Sequence, residues 1–594
     1  MAEDKKVDFE KLRKGFGVVL ERRKQTQGVT TETSDHGTKS KNLANPKQGK
    51  IPGFAGEYDI LKLTLTSPNR KQKGGYIDLK AAWSDLNIYE DIFASCLTGN
   101  IIITDGMGLM ENVPIIGEET INIHVKTSGI KREREEITTG PFKGSLSEGI
   151  INLKFRVYKI SDLIKMNEGM WRYKLHLISE EALINLKSKV AKSALNPATL
   201  EPRRISATAK NIYSQYFKRG RKLKDRKKFF IEPTRNLTNL IIPNQTPFKA
   251  FNFLASRAVS AGKHAVGSSF VFYETVKGFF FVSMETLMAG GGTGYRSEMG
   301  EGDSKELEYS APENPVREVY TVQPKKLFAK SDNLKNVAIE MTSVDEYKFE
   351  SNFDVIKNLQ AGMYSNRLLT HDLVRMKYDT LDFNYMHPEN TEQLVTEDVD
   401  TGGTEVVDVK TLGAEQKNFH DNFTHLGKGR LCSENQFAMG APESVISFYP
   451  TNFGHDVRFK DDIGAEGVHG GAPGGLNIIP SRVEQWMQSR MVQSQQINNI
   501  KLSIRAPGLS TRTVGDLIEF KMPTQYLEDR DGITPAAHHT YLSGYYLITK
   551  LRHHFTASDE KYEIEFEAIK DALNSPVGGD TASADSPYAR SGIS

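Results

Sequence analysis

The fold is decided by three segments near the C-terminal end: TVGDLIEFKMP (513–523), YLSGYYLITKLRHHF (541–555) and KYEIEFEAIKDAL (561–573). In each segment apolar side chains recur at every second position, as Ile518, Phe520 and Met522 do. Alternation with a period of two is typical of strands that bury one face and wet the other. Turn-forming residues separate the segments, so this part of the chain predicts an antiparallel meander that closes a sheet or barrel.

A second β-rich region precedes this one and begins at Tyr58. Alternation is clearest in INLKFRVYKI (151–160) and WRYKLHL (171–177). Six or more strands at such short spacing predict a small β-barrel or sandwich. Within it, residues 86–93 lack a clear period, and we interpret them as a helical or irregular crossover.

Between the two β-rich regions the pattern changes to that of a small α/β unit. Thr246 and Pro247 are typical of a helix start, because a threonine side chain can cap the helix and proline is favoured at the first helical position. The segments SSFVFYE (268–274) and GFFFVSM (278–284) then predict a hairpin. A further helix is expected over 354–367, at the start of the second β-rich region.

These patterns predict a mainly β (α+β) chain in which two antiparallel β-barrel domains flank a small α/β domain, with an inserted loop-rich region. The predicted boundaries are 1–50 for a basic N-terminal docking segment and tether, 51–190 for the first barrel, 191–315 for the α/β domain, 316–386 with 480–577 for the second barrel, 387–479 for the insertion and 578–594 for a flexible tail.

Composition excludes several classes of protein. The 594 residues include 77 Lys+Arg and 75 Asp+Glu, so no global charge points to nucleic acid or membrane. Cys96 and Cys432 are the only two cysteines, which excludes a disulfide framework and a cysteine-based zinc site. No apolar run is long enough for a membrane span, and none is expected. One local exception is the basic run KRGRKLKDRKK (218–228), which we interpret as a solvated loop or a contact for phosphates or an acidic protein face.

A search for catalytic groups finds none that we would assign. The pairs His538-His539 and His553-His554 are adjacent on strands, so their members point to opposite faces and cannot chelate one ion. Glu180 and Glu181 lie in the first turn of a predicted helix, where acids stabilise the helix without chemistry. We therefore expect no enzyme activity, no catalytic or metal-binding residues and no cofactor.

The order of several motifs resembles the baseplate central hub proteins of contractile-tailed bacteriophages (myoviruses). The segments that carry the resemblance are NIYEDIFASCLTGNIIITDGMGLMENVPIIGEETINI (87–123), YKLHLISEEALINLKSKV (173–190), TPFKAFNFLASRA (246–258), ESNFDVIKNLQAGMYSNRLLTHDLVRMKYD (350–379) and SIRAPGLSTRTVGDLIEFKMP (503–523). It covers roughly 55–385 and 480–577, and a looser likeness extends to the bases of type VI secretion spikes.

The resemblance implies a structural role rather than a catalytic one. Hubs of this family form a homotrimeric ring of tail-tube-like barrels that adapts a sixfold tail tube to a threefold central spike. The implied partners are the spike, the tail tube or a tube initiator, and neighbouring baseplate wedge proteins, with DNA and the tape-measure protein passing through the channel. The implied location is the virion tail baseplate, assembled in the host cytoplasm. In such a ring, Tyr546, Ile548 and Lys550 would face a neighbouring subunit or the lumen.

Two other functions remain open at this point. One is a tail-associated cell-wall hydrolase, since some phage spikes carry such domains. The other is a β protein that binds a glycan or a host receptor.

Overall fold

The structure, a computed structural model, describes residues between 55 and 573, with internal gaps of which the longest are 128–149, 323–339, 407–444 and 452–486. The predicted N-terminal docking segment, most of the 387–479 insertion and the C-terminal tail lie outside the described residues. So do residues 220–226, the centre of the basic run.

The described part of the first β unit contains seven strands and one short helix. They are β1 (Tyr58–Thr66), β2 (Tyr76–Asp78), β3 (Trp83–Asp91), β4 (Thr98–Asp105), α1 (Leu109–Asn112), β5 (Thr120–Thr127), β6 (Ile150–Asn167) and β7 (Met170–Ser179).

The middle unit mixes helices with short strands. Its elements are α2 (Glu180–Lys187), β8 (Val190–Ser193), β9 (Arg203–Arg204), α3 (Ile205–Tyr213) with a π-helical turn (Ser214–Lys218), β10 (Lys228–Ile231), β11 (Leu237–Thr238), β12 (Ile241–Gln245), α4 (Pro247–Ala255), β13 (Phe270–Thr275), β14 (Gly278–Ser283), α5 (Met284–Gly290), β15 (Tyr295–Glu298) and β16 (Glu306–Tyr309).

The second β unit completes the described chain. It contains β17 (Glu318–Thr321), β18 (Glu346–Asn352), α6 (Val355–Gln360), β19 (Ser365–Asp372), β20 (Lys377–Asn384), β21 (Val395–Glu397), β22 (Thr404–Val406), β23 (Ile446–Thr451), α7 (Met487–Gln496), β24 (Ile500–Pro507), β25 (Leu517–Lys521), β26 (Gly544–Thr556) and β27 (Lys561–Lys570).

Both β units contribute to one sheet with 13 described strands. Its main path runs β18-β24-β27-β26-β3-β4-β7-β6-β5-β1-β2, while β25 pairs with β26 and β17 with β25. The two units meet where β26 pairs with β3. A separate sheet, β13-β14-β10-β16-β15, forms the centre of the middle unit.

The two β units share one topology. In chain order β1, β3, β4, β5, β6 and β7 correspond to β17, β18, β24, β25, β26 and β27. Their order in the sheet is β3-β4-β7-β6-β5-β1 in the first unit and β18-β24-β27-β26-β25-β17 in the second. The first four pairings of each series are antiparallel. They differ in the last pairing, because β17 lies parallel to β25 whereas β1 lies antiparallel to β5.

The mainly β fold with an intervening α/β unit is confirmed, and two local predictions are wrong. Residues 86–93, expected as a crossover, belong largely to β3, whose Leu86 and Ile88 are fully buried. The helix expected over 354–367 ends early: α6 spans Val355–Gln360, and the chain then enters β19. Asp354 caps α6 by accepting a hydrogen bond from the backbone N–H of Lys357 at 3.0 Å.

Aromatic packing holds the middle unit together. Phe251 of α4 stacks on Phe272 of β13 at a centroid distance of 4.2 Å. Phe272 in turn stacks on Phe279 of β14 at 5.6 Å. Such pairs add about 0.5–1.5 kcal/mol each to the burial of their area. The predicted hairpin and the helix that begins at Pro247 therefore form the core of this unit.

Helix α7 connects the middle unit to the second β unit. The guanidinium of Arg490 donates to the carbonyl oxygen of Ala255 at 2.8 Å, and Ser269 donates to Gln493 at 2.7 Å. On its other side Gln488 donates to Asn366 of β19 at 3.1 Å. These contacts fix α7, and with it the entry of the chain into β24.

A glycine pair tests how tightly the first described residues pack on β27. Gly56 (φ +83) and Gly169 (φ +82) share a left-handed backbone, but a Cβ on Gly56 would lie 2.5 Å from the carbonyl oxygen of Tyr562, whereas one on Gly169 meets nothing within 4 Å. Gly56→Ala should therefore destabilise the protein by about 1–3 kcal/mol more than Gly169→Ala. Thermal unfolding of both variants measures this difference. Equal losses would contradict the packing described for Gly56.

A buried carboxyl group near α7 predicts a pH-dependent stability. Burial raises the pKa of Glu285 from 4.5 to about 7. The folded state then holds this proton more tightly than the unfolded state, so the contribution of Glu285 to stability falls as the pH rises from about 4.5 to about 7. Glu285→Gln should stabilise the protein at pH 8 by up to roughly 3 kcal/mol, with a smaller effect at pH 5.

The control for this prediction is Glu118→Gln, at an exposed carboxylate of the first β unit. Unfolding curves at both pH values should show no comparable gain for it. If the gain for Glu285→Gln were the same at pH 5 and pH 8, the carboxyl group would not be the cause.

Candidate assembly interface

The junction between the two β units is a strand pair. Residues 550–556 of β26 lie antiparallel to residues 91–85 of β3. The first part of β26 pairs instead with β25, and the register shifts at Thr549 between the two parts. One long strand is thus the neighbour of β25 in its own unit and of β3 in the other.

Glu90 of β3 ties this junction to all three units. Its side chain is fully buried. One carboxylate oxygen accepts the N–H of Val276, in the β13–β14 turn, at 2.8 Å, and the other accepts the N–H of Val514 at 2.9 Å. The Nε2 atom of His553 on β26 lies 3.6 Å from the same carboxylate. A carboxylate that accepts several backbone N–H groups in a dry interior is costly to replace.

The histidine pair 553–554 is split between the two faces of β26, as adjacent strand residues must be. His553 is fully buried, and its Nδ1 lies 2.7 Å from the hydroxyl of Tyr562. His554 lies on the opposite face, where its Nε2 is 3.4 Å from Asp85. The two rings therefore lie on opposite faces of β26, as the sequence predicts.

A second buried ionic group links the middle unit to the β3–β4 loop. Lys227 forms ion pairs with Glu274 and, at 2.8 Å, with Glu181. Glu274 also accepts the N–H of Leu97 at 2.9 Å. Burial would lower the pKa of Lys227, but Glu274 and Glu181 outweigh it and hold this pKa above its ordinary value. Lys227, near the end of the basic run 218–228, is thus 20% exposed and held by two carboxylates of the same chain.

The large sheet has one polar face. One row of cross-strand neighbours on this face consists of Ser503 of β24, Glu567 of β27, Lys550 of β26 and Asp91 of β3. A parallel row contains Arg505, Glu565, Arg552, Tyr89 and Thr98. The opposite face carries the apolar core, including Leu551 and Phe566. The polar face therefore crosses the junction without interruption.

Hydrogen bonds connect side chains of the polar face across the junction. Arg552 forms an ion pair with Glu565 at 2.7 Å and donates through Nε to Asn87 at 2.9 Å. Asn87 donates to Asn100 of β4 at 3.0 Å, and Asn100 donates to the hydroxyl of Tyr89 at 3.0 Å. The side chains of the two units are fixed in one network on this face.

Of the three residues proposed from the sequence to face a subunit or the lumen, only Lys550 reaches the polar face. Its side chain is 49% exposed and pairs with Glu567 at 3.1 Å. Tyr546 and Ile548 are fully buried within the chain, and the hydroxyl of Tyr546 donates to the carbonyl oxygen of Leu542 at 2.5 Å. Residues 546–549 are buried on both faces, so simple alternation fails before the bulge.

Two negative findings concern the described part of the chain alone. It contains no group of three or more His, Cys, Asp or Glu side chains placed to hold a metal ion. It also contains no helix long and apolar enough to cross a membrane.

Comparison with known proteins gives structural matches only. No protein-family model matches the chain, and no curated protein matches its sequence. The tail protein from Neisseria meningitidis MC58 is similar over 87% of this chain and 97% of its own, with a TM-score of 0.38 and 7% identity. A 43 kDa tail protein of prophage MuSo2 from Shewanella oneidensis is similar over 87% and 99%, with a TM-score of 0.35 and 8% identity.

A component of the type VI secretion system of E. coli is similar over 86% of this chain and 76% of its own, with a TM-score of 0.30 and 10% identity. At such scores the likeness assigns the chain neither a family nor a function.

The role of Glu90 can be tested by a neutral substitution. Glu90→Gln keeps one acceptor but leaves a buried N–H of Val276 or Val514 without its charged partner. We expect a loss of about 2–3 kcal/mol in the free energy of unfolding, measured by thermal or denaturant unfolding. Hydrogen exchange at residues 276 and 514 should accelerate as well.

The matched control is Glu565→Gln, on the polar face of the same sheet. Its ion pair with Arg552 is partly exposed, so its loss should cost under about 1 kcal/mol. If both variants lost the same amount, the carboxylate of Glu90 would not be the link between the units.

Proposed function

We propose that the chain is a structural hub of a contractile tail, and that three copies form a closed ring around a channel. The observation that carries this proposal is the duplicated strand order within one sheet. The two units are similar and lie side by side, joined by the pairing of β3 with β26. Further units added through the same contact would each be rotated by the same angle. A series that continues from chain to chain either closes into a ring or grows into a filament.

The number of repeats fits the role of a symmetry adaptor. Three chains with two similar units each present six similar units to a sixfold tail tube. The same three chains present threefold symmetry to a central spike. In this proposal the partners are the spike, the tail tube or a tube initiator, and neighbouring wedge proteins of the baseplate.

The polar face of the sheet suits the wall of the channel. The opposite face packs against the chain's own core and middle unit, so these elements lie on the outside of such a ring. A lining of Lys550, Arg552, Glu565, Glu567 and their neighbours offers mixed charge and little apolar area. DNA and tape-measure protein could pass such a wall without strong adhesion.

The N-terminal 50 residues remain, in this proposal, a docking segment for a neighbouring baseplate component. The proposed location is the virion tail baseplate, reached after assembly in the host cytoplasm. The proposed role requires no catalysis.

Native mass spectrometry and negative-stain electron microscopy of the purified chain test the ring. We expect particles of three chains with a threefold axis and a central hole. A protein that remains monomeric at high concentration, and also in the presence of its spike and tube partners, would exclude the proposed function.

A further inference from the structure

The long strand β6 has one edge that is only half covered. Residues 150–156 pair with β5, and this pairing ends at Arg156 and Thr120. Beyond that point no described strand lies on this side of β6, although β7 continues on the other side to Asn167. Residues 158–167, called the arm below, therefore pair with β7 on one side, where β7 pairs in turn with β4, and have an open edge on the other side among the described strands.

The arm exposes several large apolar side chains at this open edge. Tyr158, Leu163, Ile164 and Met166 are each 50–54% exposed. An open apolar edge is a site for strand addition. The arm therefore has the properties of a surface that another strand covers.

The second β unit shows which strand covers the equivalent arm. There β26 corresponds to β6, and its residues 550–556 are covered by β3 of the first unit. On the apolar face of this pairing Phe555 contacts Tyr58 at a ring distance of 5.3 Å and stacks on Tyr562 at 4.2 Å. The intramolecular junction is thus a template for how such an arm is buried.

The counterpart of β3 in the second unit is β18, and β18 is also open on one side. It ends the sheet and pairs with β24 alone among the described strands. Its polar face carries Glu346, Lys348 and Glu350, all exposed. On the arm, Lys159 lies on the same polar face, across from His176, whereas Lys165 lies across from Trp171 on the opposite face.

We infer that residues 158–167 of β6 pair antiparallel with β18 of a second copy of this chain, repeating between chains the contact that β26 makes with β3 within one. The inference rests on the proposed ring and identifies its interface. The contact is heterologous, because each copy gives its arm to one neighbour and its β18 to the other. Closure of the ring leaves neither edge exposed.

A charged residue on the arm tests the contact without disturbing the fold. Leu163 lies where the β6–β7 register shifts, so it has no cross-strand partner in β7. Leu163→Asp should weaken assembly at least about tenfold, measured as the concentration at which trimers dissociate in mass photometry. The matched control is Ile241→Asp, at a 73% exposed position of the middle unit, which should assemble normally. Circular dichroism confirms that both variants are folded.

Cysteine cross-linking tests the pairing directly in the full chain. Lys159→Cys or Ser161→Cys, combined with Lys348→Cys, should give covalent dimers and trimers on oxidation. Lys348→Cys alone controls for the two native cysteines, and Lys126→Cys with Lys348→Cys controls for chance contact.

Trimers that persist in Leu163→Asp and give no cross-link would overturn the inference while leaving the proposed ring intact. Absence of trimers in the unmodified protein would instead exclude the proposed function.

Discussion

The pairing of β3 with β26 is the constraint on which the rest of the structure depends. It joins residues 85–91 to residues 550–556, and the strands of each β unit follow on either side of it. Glu90 reinforces the pairing by binding backbone groups of the middle and second units at once. Because the two strands are so distant in the chain, closing this contact carries a large loop entropy, which the buried hydrogen bonds and core around it must offset.

The two faces of the sheet differ in polarity on either side of this pairing. The core face is continuous with the aromatic middle unit, where Tyr273 and Phe280 stack at 5.2 Å beneath the junction. The other face carries a network of Arg552, Asn87 and Asn100 that satisfies its own polar atoms. A face that is polar and internally bonded across both units does not need a packed layer above it, which is what a channel wall requires.

The sequence predicts the strands that bury one apolar face. It fails where a charged residue lies in the core or where a strand is buried on both faces. Alternation correctly identifies β6, β7, β25 and β27 and the β13–β14 hairpin. It misses β3, because Glu90 occupies a core position that a strand pattern reserves for apolar residues. It misplaces Tyr546 and Ile548, because β26 is covered on both faces there. No local signal in residues 85–91 indicates that their neighbour lies 465 positions away at the Asn87–Arg552 contact.

A chain with two similar units has each kind of sheet edge twice. If the units pair through one edge of each kind, one edge of each kind is left without a partner strand. Among the described strands of this protein, the unused pair is the arm of β6 and the open side of β18. Open edges invite uncontrolled association, and a closed ring is the arrangement that uses every edge while limiting the number of chains. Strand pairing alone permits either a ring or a filament and does not set the number of chains in a ring. The count follows from the rotation between neighbouring units, and three chains correspond to about 60° per unit.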